Sequence, residues 1–353
     1  MESPGSSRSS LSEADLVLAK KEHQRLRNRL KQKRHRERHI SERETLQAQL
    51  LELGQLLAAV SRRGDAAAQA TLHKLRSEYN ATRHVGEAMT AWVASMCTRV
   101  LPLAGTPFGW TKTSLLAEPA ARKLGLDWFS QHLYHNTDRM AAYAQFPSAG
   151  ALADNVLLDV GNGHLDLVGR IQVEYDLPLF DTYAALKAPI WSMMQGDTSA
   201  YMSEFLDTEL TSAISPEKML YRRNVRSERE TNYYVCREFC TDDRIVFTFG
   251  NFFHDQRLHE NIDWRPRMFW YVLERASLTK TRLRVMLYNA PYLKGGKMVS
   301  WQDELLHDYG IDCSVLDPDV AFRKCQQLTN DECDPKVLED YAALQIQNAR
   351  GVV

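Results

Sequence analysis

Tyr234 to Phe249 reads YVCREFCTDDRIVFTF, and the architecture follows from it. Two runs of branched and aromatic residues flank Thr241-Asp242-Asp243, side chains that favour a tight turn over continued extension, so the stretch predicts an antiparallel hairpin. Similar runs occur at Asn155 to Val160, His164 to Val173, Met219 to Val225, Asn232 to Cys240, Arg244 to Phe252, Arg267 to Ala276 and Arg282 to Asn289. Gly161-Asn162-Gly163 separates the first two, and its Asn-Gly step accepts positive φ, which marks another hairpin. Seven strands in mainly antiparallel order, with few glycine-rich phosphate loops, predict an α+β domain and not a doubly wound one. A long helix near Leu338 to Arg350 would close a curved sheet.

The segments between and before the strands read as helices. Thr182 to Met194 and Ser199 to Glu209 have helical patterns, and one or two short helices fit between Ala120 and Gln145. Thr71 to Val100 places Val85, Met89, Trp92, Val93, Met96 and Val100 on one face, whereas Pro and Gly break Leu101 to Pro119 into loop.

The chain has 353 residues, with 44 Lys+Arg against 45 Asp+Glu, a balance that by itself suggests no polyanionic partner. Locally the balance fails. Lys20 to Arg43 holds 11 bases and 3 acids, which leaves the remainder with a charge of -9. A segment this basic repels itself and gains most by neutralising a polyanion and releasing its counterions. It contains no Pro or Gly and runs into Leu46, Leu50, Leu53, Leu57 and Val60, spaced alternately by four and three, a short coiled-coil seam.

The run Asn28-x7-Arg36-x9-Leu46-x6-Leu53-x6-Val60 resembles the basic-region leucine zipper, whose helices fork into the DNA major groove from a dimerising coil. The resemblance implies base contacts by Asn28 and Arg36, with the flanking bases on phosphates. Helical spacing independently puts Asn28, Lys31, Gln32, His35 and Arg36 on one face, the eight residue steps from Asn28 to Arg36 spanning roughly 12 Å. Gln32 and His35 join the base-contact candidates, and Arg25, Arg27, Arg29, Lys33, Arg34 and Arg38 are the phosphate candidates. Lys31, Gln32 and His35 depart from the small residues usual in that family. A basic coiled coil with another purpose, RNA binding and a solvated helix stay open.

The hairpin with Trp270 to Leu273 and Arg282 to Leu287 resembles the START-like helix-grip domain. The order of zipper and grip is similar to the oomycete mating-specific protein family. The resemblance implies a cavity between sheet and closing helix suited to an apolar small molecule. Phe247, Phe249, Trp270, Val272 and Met286 are candidates to line it, although a filled core would need the same residues.

The organisation expected is a disordered arm at 1–14, a basic helix at 15–45 and a short zipper at 46–80. A helical linker and the start of the C-terminal domain follow at 81–150, then the α+β START-like domain at 151–345. The sequence contains no GxGxxG, Walker, GxSxG or HExxH pattern. Asp242-Asp243 fit a turn, His254-Asp255 with His259 lack a third ligand, and the six Cys show no zinc spacing. No enzyme activity, cofactor or metal site is expected, and no apolar stretch is long enough to span a membrane. The main expectation is a nuclear DNA-binding regulator acting on double-stranded DNA as a homo- or heterodimer through the zipper. The alternative is a START-like carrier of a hydrophobic ligand, or a scaffold whose basic helix binds an acidic membrane or partner.

Overall fold

The computed structural model describes residues 45–56, 58, 66–97, 113–197, 201–258 and 260–346. These fall into two compact units that divide after Glu87. In the first, residues 45–56 are helical and α1 (Ala66–Cys97) begins. The arm and the basic helix expected up to residue 44 lie outside the described residues.

The second unit contains the helices α2 (Pro119–His135), α3 (Thr137–Ala144), α4 (Leu179–Gln195), α5 (Thr208–Ile214), α6 (Trp301–Tyr309) and α7 (Pro318–Ala343). Its large sheet is built from β1 (Leu152–Gly161), β2 (His164–Tyr175), β3 (Ser203–Leu206), β4 (Met219–Val225), β5 (Thr231–Cys240), β6 (Arg244–Phe252), β7 (Arg267–Arg275) and β8 (Thr281–Asn289). The spatial order is β1-β2-β8-β7-β6-β5-β4-β3, and every neighbouring pair is antiparallel. This is the curved, open antiparallel sheet of an α+β, helix-grip-like domain. The turn after Cys240 forms as expected, with Cys240 opposite Ile245, and Asn162 takes a φ of 55° between β1 and β2.

Strand order dictates where α4 goes. The chain leaves β2 near one edge and must reach β3 at the other, six strand spacings or about 29 Å away. The 17 residues of α4 span about 25 Å, so the helix lies across the sheet between the two. It buries Leu179, Leu186, Ile190 and Met194 against Cys236, Ile245, Phe247, Tyr271, Leu273 and Val285. The opposite face carries Val235, Val246, Trp270, Val272 and Met286 under Leu126, Phe129, Leu133 and Met140 of α2 and α3. Burial on both faces explains why β5 and β6 read as nearly continuous apolar runs. Gly250 lets α2 pack tightly on the sheet, since a Cβ there would lie 2.9 Å from Leu133 Cδ1.

Two expectations are corrected. Ser203 to Leu206, placed in a helix by sequence, is the edge strand β3, paired with Tyr221 to Asn224. Asp207, with φ 47°, ends that strand and α5 begins after it. The C-terminal helix begins at Pro318, far earlier than Leu338, because Asp317 caps it by accepting hydrogen bonds from the Asp319 and Val320 amides. It packs on β1 and β2 at the end of the sheet, while the middle is covered by α4.

Candidate functional site

The face of α4 turned to the sheet uses Leu186, Ile190 and Met194, and the ridge one residue further on is Lys187, Trp191 and Gln195. That ridge faces the short β3 edge and leaves a cleft of about 400 Å³, completed by Phe205 of β3, Met219 and Leu220 of β4, and Glu217 in the turn before β4. The turn is tight: Glu217 takes a φ of 57°. Trp191, Phe205, Met219 and Leu220 make the walls apolar, and Lys187, Gln195 and Glu217 are the polar groups.

One buried carboxylate fixes the inner wall. Glu238 of β5 is 2% exposed. Its Oε1 accepts from Tyr183 Oη at 2.6 Å and from Cys240 Sγ at 3.1 Å, with Lys218 Nζ 3.3 Å away. Its Oε2 accepts from Trp191 Nε1 at 3.1 Å. Burial alone would push the Glu238 carboxyl up, but hydrogen bonds from Tyr183, Cys240, Trp191 and Lys218 outweigh it and hold it below the ordinary glutamate value. The same charge, added to burial, pushes the Tyr183 hydroxyl and the Cys240 thiol up. Trp191 is therefore held in place on its polar edge while its ring is presented to the cleft.

Arg222 secures the far end of α4. It is 3% exposed, donates from Nε to the Met194 carbonyl at 2.7 Å and from Nη1 to Ser203 Oγ at 2.9 Å, and lies over the rings of Tyr234 and Phe249. No carboxylate among the described residues pairs with it, and the carbonyl end of the helix offsets its charge. Arg222 also tempers Cys236, whose thiol burial pushes up to about 12.

The five residues expected to line a cavity do not share a face. Phe247 and Phe249 lie under α4, whereas Trp270, Val272 and Met286 lie under α2 and α3 on the other side. The pairing of β6 with β7 shows why: Phe247 is opposite Tyr271, so Trp270 and Val272 point the other way. None of the five lines the cleft, although Phe247 backs it, its ring 6.2 Å from those of Tyr183 and Trp191. Trp270 donates from Nε1 to the Leu133 carbonyl at 2.9 Å and ties the sheet to α2.

The remaining candidates are placed as follows. Asn28, Gln32, His35 and Arg36, the phosphate candidates Arg25, Arg27, Arg29, Lys33, Arg34 and Arg38, and Leu57 and Val60 lie outside the described residues. Leu46 is 45% exposed, and Leu50 and Leu53 are half-buried. Asp243 accepts from Arg275 at the hairpin turn, and Asp255 is buried against Arg122 and Tyr221. Sequence reasoning missed Lys187, Trp191, Gln195 and Glu238. The first three were legible as an i, i+4, i+8 ridge, and Glu238 as a charge inside an apolar strand.

Compared by sequence, the chain matches no family model and no curated protein. Compared by structure, it resembles the human StarD13 (DLC2) lipid transfer and protein localization domain at 11% identity, covering 61% of this chain and 97% of that one, with a TM-score of 0.32. It also resembles the Zhui aromatase/cyclase from Streptomyces sp. R1128 at 15% identity, covering 53% and 99%, with a TM-score of 0.28. Norcoclaurine synthase from Thalictrum flavum follows at 11% identity, covering 50% and 96%, with a TM-score of 0.23. At these scores the likenesses carry no argument about activity.

The main expectation from sequence is nevertheless corrected. The domain that makes up most of the described residues is an α+β fold on a curved, open antiparallel sheet with a cleft at its edge, and no described residue carries the base-contact or phosphate-contact role that reading requires. The reading as a zipper-type DNA-binding regulator, with double-stranded DNA as partner, is corrected accordingly. Among the described residues no helix is long and apolar enough to cross a membrane.

Proposed function

We propose that the second unit is a binding module whose cleft between α4 and the β3–β4 edge takes up an apolar small molecule. The observation that carries this is the cleft itself: about 400 Å³, walled by Trp191, Phe205, Met219 and Leu220, with a few polar groups at its margin. That volume and lining are those of small-molecule pockets, mostly apolar with a small number of placed polar groups. Binding without chemistry fits the buried carboxylate beside it. Glu238 is engaged through both oxygens, Oε1 with Tyr183, Cys240 and Lys218 and Oε2 with Trp191, and these contacts hold the wall of the cleft.

The test is titration of the full chain with decanol, read by calorimetry, for the wild type, Leu220→Trp and Phe205→Ser. Wild type should bind one equivalent saturably. Leu220→Trp, which fills the cleft, and Phe205→Ser, which removes a wall at the exposed edge, should both lose binding while circular dichroism and Tm stay at wild-type values. Equal binding by all three proteins, or none by the wild type, refutes the proposal.

A further inference from the structure

Resting on the reading of the cleft as a binding site, we infer that it selects an amphiphile with an anionic head, and that Lys187 is the residue that reads the head. Besides the buried Glu238, three charged side chains stand at or beside the cleft, and they are not equivalent. Lys218 is committed, its Nζ 3.3 Å from Glu238 Oε1 and 3.5 Å from Cys240 Sγ. Glu217 is exposed and already solvated, so it gains little from an ammonium-bearing ligand.

Lys187 is half-buried, and no carboxylate among the described residues pairs with it; its ammonium stands 5.6 Å from the centroid of the Tyr183 ring. That ring is itself fixed, because the Tyr183 hydroxyl is bonded to Glu238. A cation over an aromatic face is modestly stabilised, and an ammonium gains more from a negative oxygen than from a ring. A lysine that only covers apolar surface keeps its head in water. Lys187 lines the apolar cleft, beside Trp191, Phe205 and Leu220.

The ridge geometry orients the ligand. Lys187, Trp191 and Gln195 are successive i, i+4 positions, so their backbone positions are about 6 Å apart along α4 and all three line the same cleft. A carboxylate on Lys187 thus places the chain that follows it against Trp191, Leu220 and Phe205. The class defined is a medium-chain carboxylic acid or a molecule of similar shape, with the acidic group at one end.

The experiment compares decanoate, methyl decanoate and decylamine at pH 8 by calorimetry on the full chain, using wild type, Lys187→Met and Lys187→Arg. Wild type should bind decanoate at least tenfold more tightly than the ester. The preference should vanish in Lys187→Met, which keeps the apolar stem, and persist in Lys187→Arg. Equal binding of acid and ester by the wild type, tighter binding of the amine, or a preference unchanged in Lys187→Met overturns the role of Lys187 while leaving the cleft as a site. Absence of saturable binding by all three compounds overturns both readings.

Discussion

Asp166 of β2 makes the stability of this domain depend on pH in an unusual direction. Its carboxyl is 0% exposed and accepts from the Tyr143 hydroxyl of α3 at 2.7 Å and the Tyr288 hydroxyl of β8 at 3.1 Å. Burial pushes its pKa up from 3.8 to about 6, against the pull of the two hydroxyls. Because the folded-state value is raised, the folded protein binds the proton more tightly than the unfolded chain. The stability contribution is therefore complete below the unfolded value and is lost as pH rises through the folded one. A rise from 3.8 to about 6 corresponds to about 3 kcal/mol, most of it lost between pH 4 and pH 7.

Asp166→Asn removes the titration while keeping the shape and an acceptor for a tyrosine. Urea unfolding of wild type and Asp166→Asn at intervals from pH 4 to pH 7 isolates this group, since other titrations cancel in the difference. The wild type should lose about 2 to 3 kcal/mol relative to the variant across that range. A difference that stays constant, or that moves in favour of the wild type as pH rises, refutes the reasoning.

Glu238→Gln should lower stability by about 2 kcal/mol at pH 7, because a charge-assisted hub loses its charge while Lys218 stays beside it. The folded-state value of Glu238 is depressed, so its contribution is present above the ordinary glutamate value and lost as pH falls below that value and through the lower folded one; urea melts of the pair should converge in acid. Decanol binding should weaken in parallel as Trp191 loses its anchor. Gly250→Ala should cost about 1 to 3 kcal/mol in the same melts, since its Cβ would press on Leu133 and Phe129, both fully buried.

Much of the sheet was legible because seven of its strands are long runs of branched and aromatic residues with turn chemistry between them. β3 escaped because a four-residue edge strand has too few positions for a period, and its polar flanks resemble a helix start. The start of α7 was hidden by a largely charged, exposed surface and by Pro335, although Asp317-Pro318 is a capping signal in plain view. The cavity residues were misplaced for a geometric reason. Alternation within one strand separates two faces, but only the register of β6 against β7 shows that Phe247 and Trp270 belong to different ones. The cleft itself joins a helix ridge to an edge strand, a turn and the strand after it, and no local pattern announces that meeting. The basic segment was the strongest signal in the sequence, and it drew the functional reading away from the domain that fills most of the described chain.

The central claim is that an apolar molecule sits between α4 and the β3–β4 edge. Isotope-filtered nuclear Overhauser measurements on the full chain with decanol test it most directly. Contacts are expected from decanol protons to the Leu220 and Met219 methyl groups and to the Trp191 ring. Contacts confined to Leu157, Leu165 and Leu167, around the small cavity of about 40 Å³ under α6 and α7, or no contacts at saturating decanol, would contradict it.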